Sequence, residues 1–253
     1  MQYLPKIRSD ISATFAGRIH AVTGFIQQGI RIKKNVTYWK KKAAIPAMFY
    51  SACYPAFDLF SLARSLMPFC HDLFACPELI TQACMAATTE IVNMAKIPLR
   101  LTGGKRVCIY PMRSSVSFIS PQMFERLVLP YLKQMVDTFA KDHVISVLHC
   151  DGNWTPILYY LREFPRASCV VELDGTTDIF KAKDILGDWL CLKGDVPASL
   201  LAQGEPDQVA EYCRRLIKEV GSDGGFILSS GCEVPLDANP ENVAVLIRSA
   251  HCF

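Results

Sequence analysis

Short apolar runs alternate with longer helical patterns along most of this chain, and this alternation constrains the fold more than any other feature. The predicted strands span residues 45–51, 106–111, 144–149, 169–173, 189–193 and 226–230. Strands that are apolar along nearly their whole length are typical of a parallel sheet that helices cover on both faces. The pattern therefore predicts an α/β protein, either a (β/α) barrel or an open doubly wound sheet. In both folds the functional site lies at the carboxyl ends of the strands.

The N-terminal segment does not share this alternation. We predict a helical and basic segment over residues 1–43 and the α/β domain over residues 44–253. Apolar side chains three or four positions apart indicate an amphipathic helix, at Ile11, Phe15, Ile19, Val22 and Ile26. The basic cluster between Arg31 and Lys42 is interpreted as a solvated helix face or loop, or as a docking patch for an acidic partner.

Charge and cysteine content narrow the classes of protein. The net charge of +3 is too small to indicate a nucleic-acid partner. The eleven cysteines form no CxxC pair, which favours reduced thiols and a cytoplasmic location. No apolar run reaches the roughly 18 residues that a membrane span requires. We therefore expect a cytoplasmic enzyme with a small-molecule substrate and no membrane or nucleic-acid partner.

Two strand ends carry side chains that bind zinc. His149 and Asp151 are one residue apart at the end of one strand, so both side chains can point to the same side, and Cys232 follows the last strand. Imidazole, carboxylate and thiolate are all zinc ligands, and three protein ligands with one open position are typical of a catalytic site. Cys150 competes with Asp151 for the middle position, because thiolate suits zinc better, but it points the other way in the strand.

Further candidates follow the other strands. Asp174 is expected in the mouth at the level of Asp151, whereas Asp195 either binds substrate or caps the next helix. Arg113 and Ser114 either bind a polar substrate group or form an ordinary turn. Tyr54 (or Tyr50) and Trp154 either form an aromatic wall for a planar ligand or pack in the core.

An ordered series of short motifs resembles the uroporphyrinogen decarboxylase family. The motifs are YPAFDL (54–59), ISPQMF (119–124), LPYL (129–132), LHCDGN (148–153), LDGTTD (173–178), KGDVP (193–197) and GCEVP (231–235). The resemblance runs from about residue 45 to the C-terminus and implies a TIM (β/α) barrel without the family's first two strands. It also implies that Cys232 stands where decarboxylases have a histidine and that Phe60 stands near their active-site tyrosine. Ser114 falls on their serine position.

The resemblance is closest to the cobalamin-dependent methyltransferase-like branch. That branch implies zinc at His149, Asp151 and Cys232, with Asp151 in place of a cysteine, and methyl transfer between a methoxylated compound or thiol and a corrinoid protein. Asp174, Arg113 and Ser114 would act on the substrate, and Tyr54, Trp154 and Asp195 would bind it. The alternatives are a decarboxylase in porphyrin biosynthesis and an inactive truncated barrel that acts as a binding subunit. We also expect a homodimer, or another chain that covers the open barrel edge.

Overall fold

The computed structural model describes residues 11–252, and its backbone divides into two compact units between Met48 and Phe49. The first unit contains the predicted N-terminal helix, α1 (Ile11–Ala43). Ile19, Ile26 and Ile30 on this helix are about half exposed. None of the described helices is long and apolar enough to cross a membrane.

The second unit alternates strands with helices. Its six strands are β1 (Ser51–Cys53), β2 (Arg106–Ile109), β3 (Ile145–Cys150), β4 (Cys169–Leu173), β5 (Cys191–Val196) and β6 (Phe226–Ser230). Its helices are α2 (Ala56–Arg64), α3 (Leu66–Ala75), α4 (Pro77–Thr102), α5 (Pro121–Leu127), α6 (Leu129–Lys141), α7 (Ile179–Leu186), α8 (Ala198–Gln203), α9 (Pro206–Glu219) and α10 (Pro240–Cys252). A 3-10 helix, Thr155–Glu163, lies between β3 and β4.

The strands form one parallel sheet in the order β1-β2-β3-β4-β5-β6. A doubly wound sheet reverses its strand order at a switch point, whereas a barrel adds each strand beside the previous one. The observed order follows the barrel rule, so the fold is of the TIM-barrel type. The described residues supply six of the eight strands of a complete barrel.

Two strand predictions were wrong in position. The run predicted at 45–51 forms the strand Ser51–Cys53 instead, because Ile45 and Phe49 are exposed and Pro46 lacks a backbone donor. The strand predicted at 189–193 spans Cys191–Val196, where Gly194, Asp195 and Val196 pair with β6. Residues expected in a loop are therefore part of the sheet.

The helix starts follow from their sequence. The prolines that begin helices are Pro77, Pro121, Pro206 and Pro240. The Ser120 hydroxyl accepts a hydrogen bond from the Met123 N–H at 3.2 Å and so caps α5. Between helices and sheet lies an apolar layer that includes Leu132, Met135 and Phe139, all fully buried. This layer fixes the strands whose carboxyl ends form the candidate site.

Candidate metal centre at the strand ends

The structure brings the three predicted metal ligands together. His149 Nε2 lies 3.2 Å from Asp151 Oδ1 and 3.7 Å from Cys232 Sγ, and Cys232 Sγ lies 4.0 Å from Asp151 Oδ1. Among the described residues these three are the group of donors that could hold a metal ion. Cys150 is buried on the opposite side of β3, outside this group.

The spacing of the donors fits zinc. A tetrahedral ion at ordinary Zn–N, Zn–O and Zn–S distances keeps its ligand atoms roughly 3.3–3.6 Å apart. The observed separations of 3.2, 3.7 and 4.0 Å require only small side-chain movements to reach those values. Three donors with one position left open match the count of a catalytic zinc site.

The electrostatics of the site also favour a cation. Hydrogen bonds to Asp151 and Glu172 outweigh the effect of burial and raise the pKa of His149 to about 10. Burial would raise the pKa of Glu172, but hydrogen bonds from His149 and Lys193 reverse this effect and lower it. The pocket around the ring therefore stabilises positive charge, which is what a divalent ion brings.

Two glycines allow the ligand loops to approach. Gly152 has a φ of +79°, and a Cβ there would lie 2.6 Å from the Ser115 hydroxyl oxygen. A Cβ on Gly231 would lie 2.6 Å from the backbone of Asp174, so this close contact seats the loop that carries Cys232. Larger side chains at either position would displace a metal ligand.

Asp174 organises the same loops. One carboxylate oxygen accepts from the Gly152 N–H at 2.8 Å, and the other accepts from the Thr176 N–H at 2.8 Å. Asp174 is half-buried directly after β4, and its predicted action on the substrate stays a prediction. Its contacts connect the loop after β3 to the loop after β4.

Trp154 supports Asp151 from the core. Its side chain has no exposed surface and packs edge to face on Phe124, with the ring centroids 5.6 Å apart. The indole N–H donates to the Asp151 carbonyl oxygen at 3.0 Å. The predicted contact with a planar substrate has no exposed indole surface to use, so the core alternative describes Trp154.

Aromatic rings flank His149 on the side of β2. Tyr110 lies edge-on to the imidazole with a centroid distance of 5.3 Å, and Tyr54 lies 5.6 Å from Tyr110. Tyr54 is half-buried and therefore retains surface for a ligand. Sequence reasoning missed Tyr110, although its place directly after β2 matches that of Asp151 after β3.

Arg113 and Ser114 lie in a separate network around Asp58. The Ser114 hydroxyl is buried and donates to Asp58 at 2.6 Å, while the Arg113 backbone N–H donates to the other carboxylate oxygen. The Arg113 guanidinium donates to the Ser61 carbonyl oxygen at 2.8 Å. These contacts are internal, so substrate contact by Arg113 and Ser114 stays a prediction.

Asp195 is enclosed in the sheet rather than placed in a loop. It is 2% exposed and accepts a hydrogen bond from the Tyr212 hydroxyl of α9 at 2.8 Å. Burial raises the pKa of Asp195 to about 6. The helix-cap alternative was wrong, because Pro197 stands at the N-cap of α8, while substrate binding by Asp195 stays a prediction.

Glu172 and Lys193 were not predicted as site residues. Glu172 lies opposite His149 and Lys193 lies opposite Glu172 on consecutive strands. A signal was present, since Glu172 is a charged residue within an otherwise apolar strand and Lys193 follows the apolar run at the start of β5. Buried charges in strands require partners, and the neighbouring strand supplies them here.

Comparison with known proteins identifies the family. The model of the family "Uroporphyrinogen decarboxylase (URO-D)" matches residues 36–253. The chain belongs to the uroporphyrinogen decarboxylase (URO-D) family. This is a family of enzymes, so the resemblance read from the motifs is confirmed at the level of the family and the fold.

The relatives of this URO-D family member are distant. Uroporphyrinogen decarboxylase of Chlorobium phaeovibrioides is 23% identical over 96% of this chain and 70% of its own length. The enzyme of Hordeum vulgare is 28% identical over 68% of this chain and 50% of its own. The enzyme of Pseudoalteromonas translucida is 24% identical over 53% of this chain and 38% of its own length. The chain thus spans half or less of the length of several curated relatives that it matches.

A solved structure shows the same fold. A methyltransferase from Methanosarcina mazei superposes with a TM-score of 0.71 at 20% identity, covering 87% of this chain and 63% of that one. This likeness supports the TIM-barrel type of fold.

Proposed function

We propose that this chain is a zinc-dependent, methyltransferase-like enzyme that moves a methyl group between a small substrate and a corrinoid protein. The observation that supports this proposal is the cluster of His149, Asp151 and Cys232, whose donor types and spacing suit zinc. The resemblance places Cys232 where decarboxylases have a histidine, so the thiolate donor at this position is a difference from the decarboxylases. The corrinoid protein and a cytoplasmic location are parts of the same proposal.

Zinc bound by these residues would lower the pKa of a substrate thiol or polarise a substrate oxygen. The protein contributes orientation. Glu172 holds one edge of the His149 ring, and the Trp154 indole holds the backbone of Asp151. The rings of Tyr110 and Tyr54 border the site on one side of His149.

The carboxylate of Asp151 bears on the choice of substrate. A harder oxygen ligand donates less electron density to zinc than a second thiolate would, and it therefore leaves zinc a stronger Lewis acid. Such an ion suits polarisation of an ether or alcohol oxygen better than activation of a thiol. We therefore favour a methoxylated compound as the substrate class.

The second candidate function is decarboxylation of a porphyrinogen, which the names of the curated relatives favour. A polycarboxylate substrate needs free cationic groups at the strand ends. Lys193 is paired with Glu172, and the Arg113 guanidinium donates to a backbone carbonyl. Asp151 and Asp174 add negative charge nearby. Release of carbon dioxide from uroporphyrinogen by the purified chain would establish this alternative.

Elemental analysis tests the first proposal directly. We expect about one zinc per chain in purified protein and loss of most of it in Cys232→Ala, because two ligands hold zinc weakly. The matched control is Cys150→Ala, which removes a neighbouring thiol outside the cluster and should keep the zinc. Less than about 0.2 zinc per wild-type chain, or full retention in Cys232→Ala, would contradict the proposal.

A turnover assay tests the reaction itself. Wild-type protein loaded with zinc should transfer methyl groups from methoxylated compounds to free cob(I)alamin. The products are methylcob(III)alamin and the demethylated hydroxy compound, whose oxygen takes up a proton, and the change in visible absorbance follows the reaction. Cys232→Ala should lose this activity, whereas Cys150→Ala should keep it. Zinc binding without any methyl transfer to cobalamin would support the metal site but contradict the corrinoid part of the proposal.

A further inference from the structure

Three charged side chains form a row across neighbouring strands behind the metal cluster. The parallel register pairs His149 on β3 with Glu172 on β4, and Glu172 with Lys193 on β5. The side chains of these residues are only 17%, 12% and 13% exposed. Because the backbone ladder fixes the register, the row is a built feature of the sheet and does not depend on mobile surface side chains.

We propose that Glu172 and Lys193 are positioning residues for the metal ligand His149. Glu172 fixes the imidazole so that Nε2 faces the other two ligands, and Lys193 fixes Glu172. This inference rests on the proposed metal site and adds two residues to it.

The two edges of the His149 ring face different partners. His149 Nδ1 lies 3.5 Å from Glu172 Oε1, while Nε2 faces Asp151 and Cys232 on the other edge of the ring. A neutral imidazole that binds metal through Nε2 must carry its proton on Nδ1. A carboxylate beside Nδ1 selects that tautomer and makes Nε2 a better donor, and partners of this kind accompany most metal-binding histidines.

Lys193 forms an ion pair with Glu172. Its Nζ lies 2.5 Å from Glu172 Oε1, the same oxygen that faces His149. One carboxylate oxygen therefore bridges an imidazole and an ammonium group. A buried carboxylate requires compensation of its charge. Lys193 supplies it without occupying the edge of the ring that faces the metal ligands.

Tyr110 limits the remaining freedom of the ring. Its ring lies edge-on to His149 with the centroids 5.3 Å apart. With Glu172 on one edge, the ligand cluster on the other and Tyr110 beside the plane, rotation of the imidazole is restricted. The loss of Glu172 should therefore disturb the direction of Nε2 more than the fold.

Zinc affinity, measured by competition with a chromophoric chelator, tests this proposal. We expect Glu172→Gln to weaken zinc binding about 10- to 100-fold, the range typical of such outer partners. Glu172→Asp, which keeps the charge, should recover part of the loss. The matched control is Glu125→Gln. Glu125 accepts a hydrogen bond from the Tyr160 hydroxyl at 2.7 Å and does not belong to the metal cluster. The zinc affinity of this variant should equal that of the wild type.

Two further measurements separate positioning from general stabilisation. Thermal unfolding in excess chelator reports the stability of each metal-free variant, and we expect the loss of affinity to exceed any loss explained by unfolding. The d–d absorption bands of bound Co²⁺ should shift in Glu172→Gln, since they report the ligand geometry. Lys193→Met should weaken zinc binding about 3- to 10-fold, and adding it to Glu172→Gln should cause little further loss.

The possible outcomes are distinct. Wild-type protein that binds no zinc would overturn both the proposed function and this inference. Tight zinc binding by both the wild type and Glu172→Gln, with unchanged Co²⁺ bands, would overturn the positioning role alone. If Glu172→Gln fails to fold, Glu172→Asp and Lys193→Met give the result, and wild-type affinity in both would overturn the proposal.

Discussion

At the scale of single residues, Asp58 is a buried carboxyl group whose charge depends on pH. Burial outweighs its hydrogen bonds from Ser114 and Arg113 and raises the pKa of Asp58 to about 7, from an ordinary value of 3.8. Between these two values the folded state binds more protons than the unfolded state. The contribution of this group to stability is therefore complete below about pH 4 and is lost as the pH rises through 7.

We predict that Asp58→Asn removes this pH dependence. Asparagine resembles the neutral carboxyl in shape and keeps one oxygen acceptor for the Arg113 N–H. The free energy of unfolding of the wild type should fall relative to Asp58→Asn between pH 4 and 7, by at most about 1.4 kcal/mol per pH unit. Urea unfolding at several pH values measures this difference. A constant difference across the range would show that Asp58 has the same pKa in both states.

The residues of the metal cluster were predictable because they obey a local rule. His149 and Asp151 alternate at the end of a recognisable strand, and the loop after the last parallel strand brings Cys232 to the same edge. The roles of Glu172 and Lys193 were not predictable from the sequence, since they depend on which strands become neighbours and in which register. The partner of a buried charge lies in another element, far away in the sequence.

At the scale of elements, Asn242 joins the last helix to α8. Its amide nitrogen lies 3.4, 3.2 and 2.7 Å from the carbonyl oxygens of Leu200, Leu201 and Gly204. The helix α8 is only six residues long. The Leu200 and Leu201 carbonyl oxygens also accept from the backbone N–H groups of Gly204 and Asn239 at 3.0 Å, whereas the Gly204 carbonyl oxygen takes its hydrogen bond from Asn242. Asn242 itself is fully buried on α10. The Asn242 side chain on α10 thus binds the C-terminal end of α8 and connects the two helices.

We predict that Asn242→Ala destabilises the protein by about 1–3 kcal/mol, because it removes the donor to the Gly204 carbonyl oxygen from a buried position. Asn242→Asp should cost more, since it removes the donor and brings a carboxylate against carbonyl oxygens. The unfolding free energy from urea titration checks both values. Glu241→Ala on the exposed side of the same helix is the control and should change stability by less than about 0.5 kcal/mol.

Strand boundaries show where local patterns are insufficient. The sequence predicts a loop at Asp195, yet β5 continues through it because Asp195 and Val196 pair with Ser229 and Ser230 of β6. The apolar run at 45–51 predicts a strand, yet β1 begins only at Ser51, where pairing with Val107 begins. In both cases pairing with a distant strand determines where the strand begins or ends, and the local sequence alone does not predict that pairing.

At the scale of the whole molecule, the order of the strands follows from their apolar runs, but closure of the barrel does not. In the described part of the chain, β1 and β6 each pair with another strand on one side only. Edge strands present unpaired backbone donors and acceptors that readily bind another strand. Pairing between copies of the chain would satisfy these groups.

We therefore predict that the purified chain of 253 residues self-associates as dimers or larger species, detected by light scattering coupled to size exclusion. The double variant Ala52→Lys/Ile227→Lys places a charge on each edge strand, a device by which natural proteins block edge pairing, and should shift the distribution towards monomer. Ile247→Lys, on the exposed face of α10, is the matched control and should leave it unchanged. A stable wild-type monomer at all concentrations would contradict association, and an unchanged distribution in the double variant would contradict association through these edges.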